Sequence, residues 1–371
     1  MRAMAPQPTY SSRPTFISVV VPFRRNLTQL ERCLSAITLA VEQMARSARV
    51  EVIVVADGAR QDPTALVRGA GARLVRIAGP KGPAVARNHG ALAARGDLLV
   101  FVDTDVVMHS DVLRRFLDVF AASADVAATF GAYDETPADP GFFSQCRNLA
   151  HSFIHQRSAR EAATFWAGLG AVRTEAFFTV GGFDERFRHP SVEDIDLGYR
   201  LRKAGHRILL EPGIEGTHLK RWTFWSSLVT DVRYRGIPWT QLLQRYGAMR
   251  NDLNITYRYR ACVVAAYLLV LAVAGAWFAP WLAGVAAAAI VALWTLDRQY
   301  YRFFIGRRGW LLTLGWFPFH VLHHLCNGLS FVLGTLLFHV RRFAGIGLPG
   351  AIASTAWSRG AAPAAPGTYA A

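Results

Sequence analysis

Cysteine is scarce in this chain of 371 residues: Cys33, Cys146, Cys262 and Cys326 stand far apart, with no CxxC pair. That spacing argues against zinc ligands or a disulfide framework and reads as four buried thiols in a reducing compartment. Acidic residues are also few, 26 against 41 Lys and Arg, for a formal charge of +15. Such a balance admits nucleic acid, anionic lipid or an anionic substrate. No recognisable nucleic-acid-binding module with a basic face is found, so no nucleic-acid partner is expected. The N-terminus lacks the apolar core of a signal peptide. Residues 1–14 read as a flexible tail, and the domain behind them is expected to stay in the cytoplasm. No internal repeat is visible.

What is present divides the chain in two. Up to about Arg260, apolar runs alternate with Gly- and Pro-containing breaks. Ile17–Pro22 and Val50–Ala56 are short β-branched runs, the second closed by Asp57-Gly58, and both read as buried strands. Thr28-Gln-Leu-Glu31 resembles a capping box opening a helix that carries Leu30, Leu34, Ile37 and Val41 on one face. Arg73–Ile77 and Leu98–Val102 are further strands, with a helix between them through Arg95. This alternation predicts an α/β domain with a mostly parallel sheet flanked by helices, whose ligands bind beyond the carboxyl ends of the strands. Asp57 and Asp103 both lie at such ends.

From Ala261 the chain is almost continuously apolar. Ala261–Leu296 splits at Pro280 into two helices, about Ala261–Phe278 and Trp281–Leu296, each near the ~20 residues a bilayer requires. Arg233, Arg235, Arg245, Arg250, Arg258 and Arg260 precede this stretch, and Arg298, Arg302, Arg307 and Arg308 follow it. Arginines on both flanks predict a membrane hairpin with cytoplasmic ends. Trp310–Val340, interrupted by Pro318, is either an interfacial helix with a third span or a re-entrant element. The expected organisation is a tail (1–14), a catalytic domain (15–258), a C-terminal α-helical membrane region (259–343) and a disordered tail (344–371).

Three constellations carry chemistry. Asp103 and Asp105, with one residue between them past a strand, can share a divalent cation, Mg2+ or Mn2+, that leaves room for substrate phosphates; a plain surface turn has the same composition. Ser191 can cap a helix through Val192–Leu201, placing Glu193 and Asp194 in its first turn, with Asp196 nearby. Ala167-Gly-Leu-Gly-Ala-Val172 and Gly181-Gly-Phe-Asp-Glu185 hold paired glycines suited to tight turns and close ligand approach.

In order along the chain stand VVVPF, VVADG, ARNHG, VDTD, GLGAVR, GGFDE and VEDIDLGYRL. This series, from about Ile17 to Trp222, resembles the family 2 glycosyltransferases, inverting enzymes of GT-A fold. The resemblance implies a nucleotide-diphosphate-sugar donor, UDP- or GDP-linked. By position, Pro22 is similar to the residue beside the base, Asp57 to the aspartate on the base edge, and Arg87 to the donor-binding arginine. Asp103 and Asp105 resemble the metal–diphosphate aspartates, and Asp194 the catalytic base. Two departures stand out. Ala56 replaces a second aspartate before Gly58, and His218-Leu-Lys-Arg-Trp222 stands where membrane polysaccharide synthases carry QxxRW. Arg221 and Trp222, with Glu193, remain candidates for leaving-group phosphate and acceptor. His218 is a candidate third metal ligand, or equally a surface-loop histidine.

His320-x-x-His323-His324 resembles one His box of membrane di-iron desaturases, but one box cannot fill two iron sites, so packing histidines are expected. The implied enzyme is a metal-dependent hexosyl transferase of the cytoplasmic membrane, multi-pass, acting on a hydroxyl or lipid-linked acceptor with Asp194 as base. A sugar-1-phosphate nucleotidyltransferase, a non-catalytic nucleotide-sugar scaffold and a transporter are the alternatives. The first lacks its glycine-rich signature in VPFRRN, and the last would need ionisable groups inside Ala261–Leu296.

Overall fold

A computed structural model describes residue 10 and residues 14–44, 47–247 and 256–346. Arg250, most of the expected N-terminal tail and residues 347–371 lie outside the described residues. The chain divides into two units, 1–132 with 160–219, and 133–159 with 220–348. The second unit resumes after Leu219, and its residues 133–159 interrupt the first unit.

In the first unit the elements run β1 (Phe16–Phe23), α1 (Leu27–Met44), β2 (Arg49–Asp57), α2 (Thr64–Gly69), β3 (Arg73–Ile77), α3 (Pro83–Ala93), β4 (Leu98–Val102), β5 (Val106–Met108), α4 (Val112–Ala122) and β6 (Val126–Tyr133). After helix α5 (Phe142–Arg157), which belongs to the second unit, come β7 (Leu169–Arg173), α6 (Thr174–Thr179), α7 (Glu193–Lys203) and β8 (Arg207–His218). Among the described residues eight strands form one sheet in the order β3-β2-β1-β4-β7-β6-β8-β5. The β3-β2-β1-β4 half is parallel, with Val20 opposite Ile53 and Phe101. The β4–β7, β6–β7 and β5–β8 pairs are antiparallel.

Every residue of β4, β6 and β7 is buried, so both sheet faces are covered. Phe101 packs with Phe177 and Phe183 at centroid distances of 5.5 and 5.1 Å. Each such ring, fully buried, contributes about 1.5–3 kcal/mol.

Three local expectations change. Asn26, at φ 72°, caps α1 by accepting the Gln29 N–H at 3.2 Å, in place of the Thr28 box. Of the Ala167–Val172 stretch, Ala167-Gly168 form a turn, whereas Gly170 belongs to buried strand β7, where a Cβ would lie 2.4 Å from the Trp166 carbonyl. Tyr10, inside the expected flexible tail, is pinned by its hydroxyl to His206 Nδ1 at 2.9 Å, with the Arg173 guanidinium over its ring.

The second unit contains α5, then α8 (Phe224–Val229), a π-helical turn (Thr230–Gly236), α9 (Ile237–Tyr246), α10 (Tyr257–Gly275), α11 (Leu282–Leu296) and α12 (Arg298–Phe343). Helices α10 and α12 are long and apolar enough to cross a membrane; α11 is shorter. Its 15 residues reach about 22 Å at 1.5 Å each, less than a ~30 Å hydrocarbon core. Helix α12 breaks at Gly309, whose φ of 81° no helix tolerates, and carries Pro318 inside it.

Candidate active site

Strand β4 delivers Asp103 at its carboxyl end, and the Asp103 N–H donates to the Gly168 carbonyl at 3.1 Å. The next residue of the motif is structural: the Thr104 hydroxyl donates to the Pro22 carbonyl, fastening the turn to β1. Asp105 then leads into β5. Because β5 pairs antiparallel with β8, Val106 lies opposite His218, and His218 Nε2 comes within 3.6 Å of Asp105 Oδ2. The Asp103 and Asp105 side chains keep 32% and 29% of their surface open, while His218 is buried.

Helix α3 supplies Arg87, which donates to Asp103 Oδ1 at 2.6 Å and to Glu193 Oε1 at 2.9 Å. Burial raises the Asp103 carboxyl pKa; Arg87 opposes that shift, and the like charge of Asp105 reinforces it. Burial would lower the Arg87 pKa, yet the charges of Asp103 and Glu193 outweigh it and push the guanidinium up. The second oxygen of Glu193 accepts the Ser191 N–H at 2.8 Å. The helix begins at Glu193, directly after Val192.

Of the three acidic residues opening α7, each has its own place. Glu193 is locked by Arg87. Asp196 is fully buried and bonded to Arg200 Nε at 2.8 Å, one turn along. Asp194 is half-buried, accepting the Ala167 N–H at 3.2 Å and the Ile195 N–H at 2.8 Å. Ala167 and Gly168 are adjacent, so a single dipeptide holds Asp103 on one side and Asp194 on the other. Gly198 permits that approach: a Cβ there would lie 2.4 Å from the Phe165 nitrogen.

Asp57 ends β2 with its two oxygens accepting the Lys81 and Gly82 N–H groups at 2.7 and 2.8 Å. It fixes the loop before α3, where Gly82 (φ 108°) packs so closely that a Cβ would meet the Arg188 carbonyl at 2.5 Å. Sequence reasoning passed over Asn88, the neighbour of Arg87. Its amide donates to the Phe183 carbonyl and Glu185, and its oxygen accepts the Phe183 N–H, binding the Gly181–Glu185 loop to α3. An Arg-Asn pair inside a helix facing a distant Gly-Gly turn was the available signal.

Arg221 and Trp222 belong to the second unit. Arg221 is exposed and reaches Asp139 at 4.0 Å, whereas the Trp222 N–H donates to Ser144 and its ring lies under Lys220 Nζ at 3.8 Å. In the same unit Asp231 accepts two bonds from Arg147, both 2.7 Å, and pairs with His323 at 2.9 Å.

The family model described as "Glycosyltransferase like family 2" matches residues 14–234. Validoxylamine A glucosyltransferase of Streptomyces hygroscopicus subsp. limoneus is 28% identical over 258 residues, 58% of this chain and 54% of its own length. Succinoglycan biosynthesis protein ExoA of Rhizobium meliloti (strain 1021) is 29% identical over 273 residues, 69% of this chain and 74% of its own. The chain thus spans about half the length of the first relative and about three-quarters of the second. A solved mannosyltransferase, PcManGT from Pyrobaculum calidifontis in complex with GDP-Man and Mn2+, aligns with a TM-score of 0.46 at 18% identity, over 93% of this chain and 91% of that one. With the family model covering more than half of its residues, from β1 through the acidic helix α7 and beyond, the chain belongs to the family 2-like glycosyltransferases.

Proposed function

We propose that this protein is an inverting glycosyltransferase that moves a sugar from a UDP- or GDP-linked donor to an acceptor hydroxyl, free or lipid-linked, at the cytoplasmic face of a membrane. The observation that carries the proposal is the path Asp103–Arg87–Glu193, backed by the dipeptide Ala167-Gly168, whose first N–H donates to Asp194 and whose second carbonyl accepts the Asp103 N–H. A divalent cation, Mg2+ or Mn2+, fits the residues present. Asp103 and Asp105 offer partly open hard oxygens, His218 stands 3.6 Å from Asp105, and like charge between the carboxyls favours a cation there. When bound, such a cation supplies charge neutralisation for the departing nucleotide diphosphate.

The protein's own groups do the rest. Arg87 holds Asp103 and α7 in register. Asp57 shapes the donor pocket by fixing the Lys81-Gly82 loop, with Pro22 alongside for the base. Asp194, oriented by two backbone N–H groups, takes the proton of the acceptor hydroxyl as that oxygen attacks the anomeric carbon opposite the leaving group. Single displacement inverts the centre. By their place in the sequence motif alone, Arg221 and Trp222 are the candidates for binding phosphate or acceptor. Membrane association rests on the apolar helices α10 and α12, flanked by arginines.

The test is full-length protein with a panel of nucleotide sugars and Mn2+ or Mg2+, following nucleotide diphosphate release and the anomeric configuration of the product. Donor binding without turnover for every acceptor tried would favour a scaffold, and a retained configuration would end the single-displacement reading.

A further inference from the structure

Asp297 joins α11 to α12 with its side chain only 1% exposed, and neither of its carboxylate oxygens has a hydrogen bond. Arg258 Nη1 stands 3.4 Å from Oδ1, while His324 Nε2 and His320 Nε2 stand 3.4 and 3.8 Å from Oδ2. Neither ring nitrogen of the buried His324 has a hydrogen bond either. Ligating atoms of Cys262, Asp297 and His324 all lie within 4.8 Å of one another, and all three residues are buried. Leaving buried polar groups unpaired costs about 1–3 kcal/mol each, so this cluster needs an account.

A proton-sharing network would draw these groups closer. In the same unit Asp231 receives Arg147 at 2.7 Å and His323 at 2.9 Å, the usual charge-assisted lengths. The 3.4 Å between His324 Nε2 and Asp297 Oδ2 is instead what ligand atoms keep across a shared cation, while His320 stands further off at 3.8 Å. Bonds of about 2.0–2.3 Å at a tetrahedral angle separate neighbouring ligand atoms by roughly 3.3–3.6 Å. His320 and His324, four residues apart on α12, present one face. The Nδ1 of His320 pairs with the Tyr301 hydroxyl at 2.9 Å, and this ring stands beside the cluster. Arg258 holds Oδ1 and leaves Oδ2 for coordination.

We propose that Cys262, Asp297 and His324 form a three-ligand site for a zinc-type divalent cation, binding α10 to the α11–α12 junction and to α12. The ligand set selects the class. A thiolate beside an imidazole suits Zn2+ or Co2+, whereas Mg2+ and Mn2+ take oxygen-rich shells. Thiolate and carboxylate together neutralise the dication, and coordination releases the thiol proton. All three ligands are buried, and they are other residues than the carboxylates Asp103 and Asp105.

The test uses the full chain purified in detergent. Metal analysis after dialysis is expected to give one zinc per chain, and exchange into Co2+ a thiolate-to-cobalt charge-transfer band with tetrahedral d–d absorption. Cys262→Ser should lose the charge-transfer band, and His324→Gln should lose the metal. Asp105→Asn should keep both zinc and spectrum. Should either ligand variant fail to fold, the wild-type cobalt spectrum decides alone. Substoichiometric zinc in the wild type with no thiolate–cobalt band overturns the proposal. So does zinc that survives in a Cys262→Ser/His324→Gln double variant or vanishes in Asp105→Asn.

Discussion

Arg87 and Glu193, 106 residues apart in sequence, meet through a 2.9 Å bond between side chains that are 6% and 5% exposed. Removing one partner of a buried pair costs about 3–5 kcal/mol, because the other charge is left uncompensated. Arg87→Met should therefore destabilise the protein by about 3 kcal/mol and abolish nucleotide-sugar binding, since Asp103 loses its anchor as well. Glu193→Gln keeps an acceptor oxygen for Arg87 and should cost nearer 1 kcal/mol. Denaturant titration with donor calorimetry would expose the error if the two variants proved equally stable.

Asp194 and Asp196 should separate chemistry from architecture. Asp194→Asn is expected to bind donor normally while kcat falls by about 10²–10⁴, the usual cost of a lost general base. Asp196→Asn loosens the buried bond to Arg200 and should lower the melting temperature, with kcat close to wild type below that temperature. Steady-state kinetics beside thermal melts make the comparison. Wild-type turnover in Asp194→Asn would move the base elsewhere.

The parallel half of the sheet was legible because β1, β2 and β4 contain β-branched or apolar runs, and β3 a shorter one between arginines, that end at turn residues, so local pattern and final pairing agree. The other half was not. Strand β5 has three residues, β8 contains Pro212 and Gly213, and β7 carries Gly170, so each reads locally as a break. Only long-range pairing, such as Val106 with His218, makes them strands. The same pairing explains the site. The DxD and acidic-helix residues were readable from spacing, whereas the Asp105–His218 approach and the clamp of Asn88 on Phe183 depend on contacts that no local pattern encodes. Helix α5 gave no sign of packing with Tyr300 and Trp316, which lie far along the chain.

Metal dependence should be graded by residue. Asp105→Asn removes a carboxylate and should leave almost no transfer even at high Mn2+. His218→Gln substitutes a weaker neutral ligand and should raise the Mn2+ concentration for half-maximal rate about tenfold, with activity recovered at excess metal. Rate against metal concentration is the measurement. Unchanged half-saturation in His218→Gln would leave that histidine a structural partner of Asp105.

Acid sensitivity should involve His206, whose pKa is lowered from 6.5 by burial. Its Nδ1 meets the Tyr10 hydroxyl and its Nε2 is buried without a hydrogen bond, so the folded protein favours the neutral ring. As pH falls through about 6.5, the unfolded chain takes the proton first, and stability drops at up to about 1.4 kcal/mol per pH unit. The loss levels off once the folded ring also titrates. Unfolding free energies between pH 8 and 5 should show a smaller slope in His206→Phe than in the wild type; equal slopes would clear His206 of the effect.

Helix α10 offers the sharpest test of membrane insertion, because Leu271 and Val273 expose 66% and 60% of their surface although the helix is almost wholly apolar. If that face met water, Leu271→Arg would be a surface change worth no more than about ±0.5 kcal/mol, and it would improve solubility. If it meets lipid, an arginine carries an insertion cost that reaches about 2.5–3.5 kcal/mol at the centre of a span and is smaller at Leu271, in the last turns of α10. Leu39, 56% exposed on α1 of the first unit, provides the control, since it should accept arginine in either case. Carbonate-washed membranes should retain wild type and Leu39→Arg alike, while Leu271→Arg is recovered at several-fold lower level. Equal retention of all three would mean that the exposed face of α10 is covered by something other than lipid, because a bare leucine and valine stripe of this length does not stay in water unpartnered.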